Sequence, residues 1–220
     1  AFEAANQAGY RDIATVDCAP GQKRARVSFA ADRTFVDFGQ LFAATSMTPS
    51  HVISDELGID VTAAIVNNDG ELTPNWLAEM EDGMARFKDA SFATGKIYSA
   101  RVPDVLDGTF DLISRGLTAW RGGHGRPDHP EWNRERYVGA TSLTAAIFKR
   151  DVFDRAGLLD ERFVSYLEDV DFSIRCSLAG LHGVYLPRAV CSHHGSASWG
   201  AWSPQMVRHI ARNQRLLAAK

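Results

Sequence analysis

A single chain of 220 residues in which strand-like and helical segments alternate predicts an α/β fold with a mainly parallel sheet. Two observations carry that expectation. Short apolar runs recur at residues 12–17, 24–29, 61–66, 93–100 and 182–190, separated by stretches whose apolar residues fall at helical spacing. Glycines also stand at the junctions, with Gly157 and Gly180 each closing a helical stretch.

Taken in order, residues 1–9 read as the tail of a helix ended by Gly9, and residues 12–17 as a short buried strand ending on Asp17. Two further strands, 24–29 and 61–66, enclose a polar and helical stretch. Thr73 and Pro74 then open a helix, the first as cap and the second fitting the first turn. Its stripe of Trp76, Leu77, Met80, Met84 and Phe87 predicts core rather than ligand surface. Residues 93–100 form a strand and 103–108 a turn. The breaker-rich segment 121–130 predicts a loop, a candidate lid, in which His124 and His129 are better read as surface residues than as ligands. Residues 151–156 are helical. A helix striped by Val170, Ile174 and Leu178 follows, then the strand 182–190 and an amphipathic helix over 204–219.

With 45% hydrophobic residues the chain can bury one ample core, roughly 70% of its unfolded surface, and one domain over residues 1–220 is the simplest organisation. Apolar runs of about six residues fall far short of the roughly 20 that a membrane span needs. No basic-then-apolar leader is visible, so the expected location is cytoplasmic. Cys18, Cys176 and Cys191 lack CxxC spacing and read as reduced thiols. All 27 acids lie at or before Asp171, whereas the stretch from Phe172 to the C-terminus holds six Lys and Arg and no acid. A cationic end favours an anionic partner, a diphosphate or an acidic membrane surface. Arg208, Arg212 and Arg215 share one helix face there. Basic residues interleaved with aromatics are absent, which argues against a nucleic-acid partner.

The residues that can carry chemistry sit at element ends. Asp69 directly follows an apolar strand, and ligands of open α/β sheets bind outside such ends. A carboxylate there suits Mg²⁺ or Mn²⁺, although a turn residue capping the next helix would look the same. Glu168, Asp169 and Asp171 gather at a helix start, where the macrodipole alone favours acids. In a partly desolvated cleft, Glu168 and Asp171 would lift the pKa of Asp169 toward that of a useful general base. Arg175, one turn on from Asp171, is expected to pair with a carboxylate. His193 and His194 follow the last strand, and a neutral imidazole can complete a site begun by Asp69. The doublet leaves open which of the two does so.

Four segments in this order, residues 67–77 (NNDGELTPNWL), 139–163, 167–180 (LEDVDFSIRCSLAG) and 185–198 (YLPRAVCSHHGSAS), resemble the family-2 glycosyltransferases of the GT-A fold, particularly their rhamnosyltransferase-like branch. The resemblance runs from about residue 13 to 198 and is dense from Gly139 onward. It implies an inverting, divalent-metal-dependent enzyme. The donor would be a nucleoside-diphosphate sugar, rhamnose first, and the acceptor a glycan or a lipid-linked precursor at the inner face of an anionic membrane. It further implies Asp69 and His193 as ligands of Mg²⁺ or Mn²⁺, and Asp169 as the base that takes the acceptor proton. Asp17 and Asn68 would contact the nucleotide, and Gly139 and Ala140 would line the donor-sugar pocket. Two departures stand out. Asn67 and Asn68 replace the usual acid ahead of Asp69, which implies weaker metal affinity. The strand that commonly opens the family is missing, so the domain is N-terminally incomplete relative to the family. That gap opens a second reading, a non-catalytic module binding sugar nucleotides or glycans on the same fold.

Overall fold

The computed structural model describes residues 62–67, 69–195 and 202–220, together with the backbone of three short strands, β1 (Ala14–Thr15), β2 (Val27–Ser28) and β3 (Thr34–Phe35). These three pair antiparallel in chain order. β1 and β2 fall within two of the expected strands. Asp17 and Asn68, both assigned to the nucleotide, and Cys18 lie outside the described residues.

The main sheet begins with β4 (Thr62–Val66), β5 (Gly70–Leu72), β6 (Phe92–Ser99) and β7 (Leu106–Gly108). A separate hairpin of β8 (Asp111–Ile113) and β9 (Ala119–Arg121) follows. The chain then returns to the sheet as β10 (Arg136–Val138), β11 (Ala145–Lys149) and β12 (Gly183–His193). The order is β10-β12-β6-β11-β4, with β5 beside β12 and β7 beside β6. β6 and β12 pair parallel, while β11 runs antiparallel between β6 and β4. β4, β6 and β12 therefore share one direction, and helix α1 (Trp76–Arg86) lies in the crossover from β4 to β6. The α/β class holds, with a mixed sheet.

Alternation along the strands builds a core on each face. β11 places Ala145 and Ile147 on one side, against Trp76 and Met80 of α1. Ala146 and Phe148 face the other side, against α2 (Asp151–Ala156) and α3 (Glu168–Leu178). There Phe148, Phe153 and Phe172 pack ring on ring, with centroids 5.5–5.8 Å apart. α2 stops where Gly157 takes φ 77°, as its sequence position predicts. A third cluster of Phe163, Val170 and Leu217 seats α4 (Pro204–Ala218) on the 3-10 turn Glu161–Phe163 and on the hairpin. Among the described residues no helix is long and apolar enough to cross a membrane. Cys176 and Cys191 are buried free thiols, pushed by burial up to about 11 and about 12.

Several local expectations are corrected. α1 starts at Trp76 behind Asn75, because the amide and hydroxyl of Thr73 are both spent on the Val190 carbonyl, each at 3.0 Å. Leu178, expected in the apolar stripe of its helix, is the last residue of α3 and is 83% exposed. Residues 121–130 are tied down rather than free. Buried Lys96 donates to Asp128 (2.8 Å) and to Asn133, and Tyr98 donates to Asp128 (2.6 Å). β12 runs on through His193, so that histidine is part of the strand. Along its pairing with β6, Leu186 stands opposite Gly95 but Val190 opposite Lys96, leaving Pro187, Arg188 and Ala189 without counterparts. A Cβ on Gly95 would lie 2.0 Å from the Ala189 carbonyl oxygen, so glycine is required there.

Candidate active site

The end of β12 is flanked by β6 on one side and β5 on the other. β5 begins just after Asp69, whose carbonyl accepts the His194 amide at 3.1 Å. This pairing brings the Asp69 carboxylate to the His193 ring, Oδ1 to Nε2 at 3.1 Å. On the other side of the ring, Nδ1 meets Asp107 Oδ2 of β7 at 2.8 Å. Both partners are carboxylate acceptors, so both ring nitrogens donate and the ring is an imidazolium. Burial alone would lower the His193 pKa, but the hydrogen bonds and charges of Asp107 and Asp69 overcome it and raise it to about 9. The Asp69 carboxyl is held below its ordinary value, chiefly by the His193 hydrogen bond. His194 points elsewhere, exposed beside Glu71 at 3.4 Å. The structure thus joins His193, not His194, to Asp69.

Asp107 links this pair to a second group. Arg121 of β9 donates to Asp107 Oδ2 at 2.9 Å, and its Nε lies 3.9 Å from Asp111 Oδ1. Asp111 and Arg121 are directly paired across the hairpin and face the same way. Arg121 also acts electrostatically on Glu168 and Asp169 at the start of α3. One guanidinium therefore pairs with two carboxylates and acts electrostatically on two more. Burial raises Asp111 to about 7, opposed by Arg121 and aided by Asp169. Burial and the neighbouring Asp169 raise Glu168 to about 8. Asp169 is also raised by burial, with Arg121 and the Val170 amide (2.9 Å from Oδ1) pulling the other way. Asp111 Oδ1 and Glu168 Oε2 are buried without a hydrogen-bond partner, which favours protonated carboxyls there.

Asp171 does not join this group, which corrects its expected role beside Asp169. It is buried in an ion pair, with Oδ2 accepting from Arg175 (3.0 Å) and Oδ1 from Lys220 (2.7 Å). Two cations close over it because it sits two residues past Asp169, on another side of the helix. Ala140 lies at the edge of the group, its carbonyl accepting the Asp111 amide at 3.2 Å. Gly139 is exposed, and its carbonyl accepts the Ser177 hydroxyl at 3.2 Å. His124 donates from Nδ1 to the Asp107 carbonyl at 2.6 Å, so part of segment 121–130 does lie against the site. Asp107, Asp111 and Arg121 are the residues that sequence reasoning missed. The only signal available was a pair of acids four apart around a Gly-Thr turn, followed by an arginine just before a glycine pair.

The Asp69 and His193 atoms suit a divalent cation in part. Their separation is close to the roughly 3 Å between neighbouring ligands of an octahedral ion with bonds of about 2.1 Å. Loss of the Nε2 proton would aim that lone pair beside Asp69 Oδ1, while Asp107 holds Nδ1–H and fixes the tautomer. Among the described residues no group of three His, Cys, Asp or Glu is arranged to hold a metal, so other ligands would have to come from substrate and water.

No protein-family model matches the chain. Over 71 residues it is 61% identical to an uncharacterized lipoprotein of Mycobacterium leprae, a match covering 32% of this chain and 13% of that protein. Over 66 residues it is 41% identical to the N-acetylglucosaminyl-diphospho-decaprenol L-rhamnosyltransferase of Mycobacterium tuberculosis, covering 30% of this chain and 22% of that protein. A longer match, 31% over 144 residues, is to the O-antigen biosynthesis protein RfbC of Myxococcus xanthus and covers 60% of this chain and 11% of that protein. Among solved structures, GalNAc-T7 with UDP, GalNAc and Mn²⁺ superposes at a TM-score of 0.49 with 11% identity, over 76% of this chain and 34% of that one. That score is too low to carry an argument about this chain. The chain spans less than a quarter of the curated relatives' length, and over part of its own length it is similar to a sugar transferase and to a polysaccharide-biosynthesis protein.

Proposed function

We propose that this chain is the GT-A domain of a family-2, inverting glycosyltransferase that uses a nucleoside-diphosphate sugar and a divalent cation, Mg²⁺ or Mn²⁺. The observation that supports it best is the chain of contacts Asp69–His193–Asp107–Arg121, whose last member acts electrostatically on the Glu168–Asp169 pair. Ligand-type and base-type residues, read from motifs a hundred residues apart, meet in one electrostatic site.

In this reading Asp69 and His193 hold the cation, which when bound neutralises the leaving diphosphate. Asp107 orients His193, and Arg121 keeps Asp107 and Asp169 close without mutual repulsion. Asp169 takes the proton of the acceptor hydroxyl as that oxygen attacks the anomeric carbon. The bond from that carbon to the diphosphate oxygen breaks on the opposite face, and the electron pair leaves with the diphosphate. Configuration inverts. The lifted pKa of Asp169 suits this proton transfer, because a base works best when its pKa lies near the operating pH. Ala140, beside Asp111, and Gly139 would border the donor sugar, and Asp17 and Asn68 the nucleotide. Rhamnose is the first donor sugar to test, because the rhamnosyltransferase match lies over part of this chain. A glycan or lipid-linked acceptor and a place in the cytoplasm, at the inner face of an anionic membrane, complete the reading. The lipoprotein name belongs to a relative of which the chain matches 13%.

The test is a melting experiment with Mn²⁺, a nucleoside diphosphate, both, or neither. With few protein ligands, metal and nucleotide should each complete the other's site, so the pair raises Tm more than either alone. At a hundredfold excess over Kd the gain is about 2.7 kcal/mol. Equal melting points in all four conditions would remove the donor site. Nucleotide binding with neither hydrolysis nor transfer of the sugar would leave the binding-module reading standing instead.

A further inference from the structure

We infer that Asn213, in the C-terminal helix α4, is a positioning residue that holds the turn carrying Glu168 and Asp169. The catalytic consequence rests on the transferase reading above; the structural clamp does not. The chain enters α3 through residues 163–167 in an unusual conformation. Val164, Tyr166 and Leu167 take φ of 64°, 67° and 66°, a region that side-chain-bearing residues rarely occupy and β-branched valine least of all. Leu167 stands at the N-cap without any side-chain cap hydrogen bond. A turn of this kind persists only where its surroundings over-determine it.

The surroundings are α4. Asn213 is fully buried, and its Nδ2 reaches the carbonyls of Phe163 (2.9 Å), Ser165 (2.7 Å) and Tyr166 (2.6 Å). Three acceptors share two N–H groups, so the amide is engaged across the whole turn. Its Oδ1 accepts from Arg212 Nη1 at 3.0 Å, which fixes which end of the amide faces the carbonyls. Arg212 Nη2 donates in turn to the Arg162 carbonyl at 2.6 Å. Lys220 closes the far end, with Nζ 2.7 Å from both Asp160 Oδ2 and Asp171 Oδ1. α4 and the C-terminal Lys220 just beyond it thus grip the segment from Asp160 to Asp171 at its start, middle and end, and Asp169 lies inside that span. The amide is explained by the three carbonyls.

The experiment is amide hydrogen exchange on the full chain, wild type against Asn213→Ala, with turnover and donor binding measured alongside. Amides of Val164, Ser165 and Asp171 should exchange about tenfold faster in the variant, with those of β6 and β12 unchanged. Nucleoside-diphosphate binding with Mn²⁺ and the donor KM should hold. kcat should fall about 10²-fold, the cost of misplacing a catalytic group by about 1 Å. Faster exchange throughout the chain, or none in the turn, overturns the clamp. Local loosening with wild-type kcat overturns the positioning role. Should Asn213→Ala fail to fold, Arg212→Ala carries the same test, expected to speed those same amides about threefold by freeing the Asn213 amide; no change there overturns the proposal. If the wild type transfers no sugar, the transferase reading falls and the exchange result alone decides the clamp.

Discussion

Replacing Arg121 by methionine should destabilise the protein in a strongly pH-dependent way. The side chain keeps its length and loses the charge that Asp107, Asp111, Glu168 and Asp169 share. Removing one partner of a buried ion pair costs about 3–5 kcal/mol when the other stays charged. Carboxyls can escape that cost by taking a proton, and two of these nearly do so already. Asp111 stands at about 7 and Glu168 at about 8, against ordinary values of 3.8 and 4.5. A raised carboxyl pKa contributes stability that is fully present below the unfolded value and is lost as pH rises through the folded one. The wild type should therefore lose stability between about pH 4.5 and pH 8. Without Arg121 both values climb further, so the variant loses more over the upper part of that window. Near pH 5 both carboxyls are protonated with or without the arginine. The cost is then about 1 kcal/mol, chiefly the lost hydrogen bond to Asp107. Near pH 8 it should reach about 3 kcal/mol. The difference of about 2 kcal/mol is the ceiling at that pH, about 1.4 kcal/mol from Asp111, which titrates about one unit below it, and about 0.4 from Glu168, which titrates at it. Urea unfolding of both proteins at about pH 5, 6.5 and 8 measures it directly. An equal cost at every pH, or a larger one near pH 5, would refute the shared-guanidinium argument.

Asp169→Asn should lower transfer by about 10²–10⁴-fold while donor binding and Tm hold, because shape is kept and the basic oxygen is lost; wild-type turnover would move the base to Glu168. Asp69→Asn should instead weaken the metal-dependent part of donor binding, read as loss of the extra melting shift from Mn²⁺ plus nucleotide. The basic face of α4 is smaller than its sequence implies, since Arg212 is spent on the Arg162 carbonyl. Exposed Arg208 and Arg215, with Trp202 79% and Val207 46% exposed nearby, should still give weak, salt-sensitive sedimentation with anionic vesicles. Each arginine contributes about 1 kcal/mol, so Arg208→Gln with Arg215→Gln should abolish it. No binding by the wild type at low salt would assign this face to plain solvation.

The parts of the site legible in the sequence are those at the ends of long elements. Asp69 follows β4, His193 closes β12 and Asp169 opens α3, and the sequence marks all three elements, although it ends the last strand at residue 190 where β12 runs on to His193. Asp107, Asp111 and Arg121 lie on three-residue strands, too short to show any period, and Asp107 meets His193 across 86 residues of chain. Asp171 shows the opposite difficulty. An acid in the first turn of a helix is conspicuous, but the side it faces depends on the Arg175 and Lys220 that meet it. Thr73 is similar: it has the chemistry of a cap and spends it on Val190, 117 residues away. Local preference states what a side chain can do, and the tertiary neighbour decides which option is used.

The three residues of β12 that have no counterpart on β6 also decide which histidine meets Asp69 and Asp107. In an unbroken strand Leu186 and Val190 would share a face; here they pair with Gly95 and Lys96, adjacent positions that belong to opposite faces of β6. The odd number reverses the parity of everything that follows. Cys191 thereby joins Leu186 in the same core, and His193, rather than His194, falls on the inward side. A change in length at residues 187–189 is consequently read as odd or even. Loss or gain of one residue would turn His193 outward and bring its neighbour in, out of reach of the geometry set by Asp69 and Asp107. A change of two would keep the His193 imidazole facing the carboxylates, whatever the identity of the residues involved.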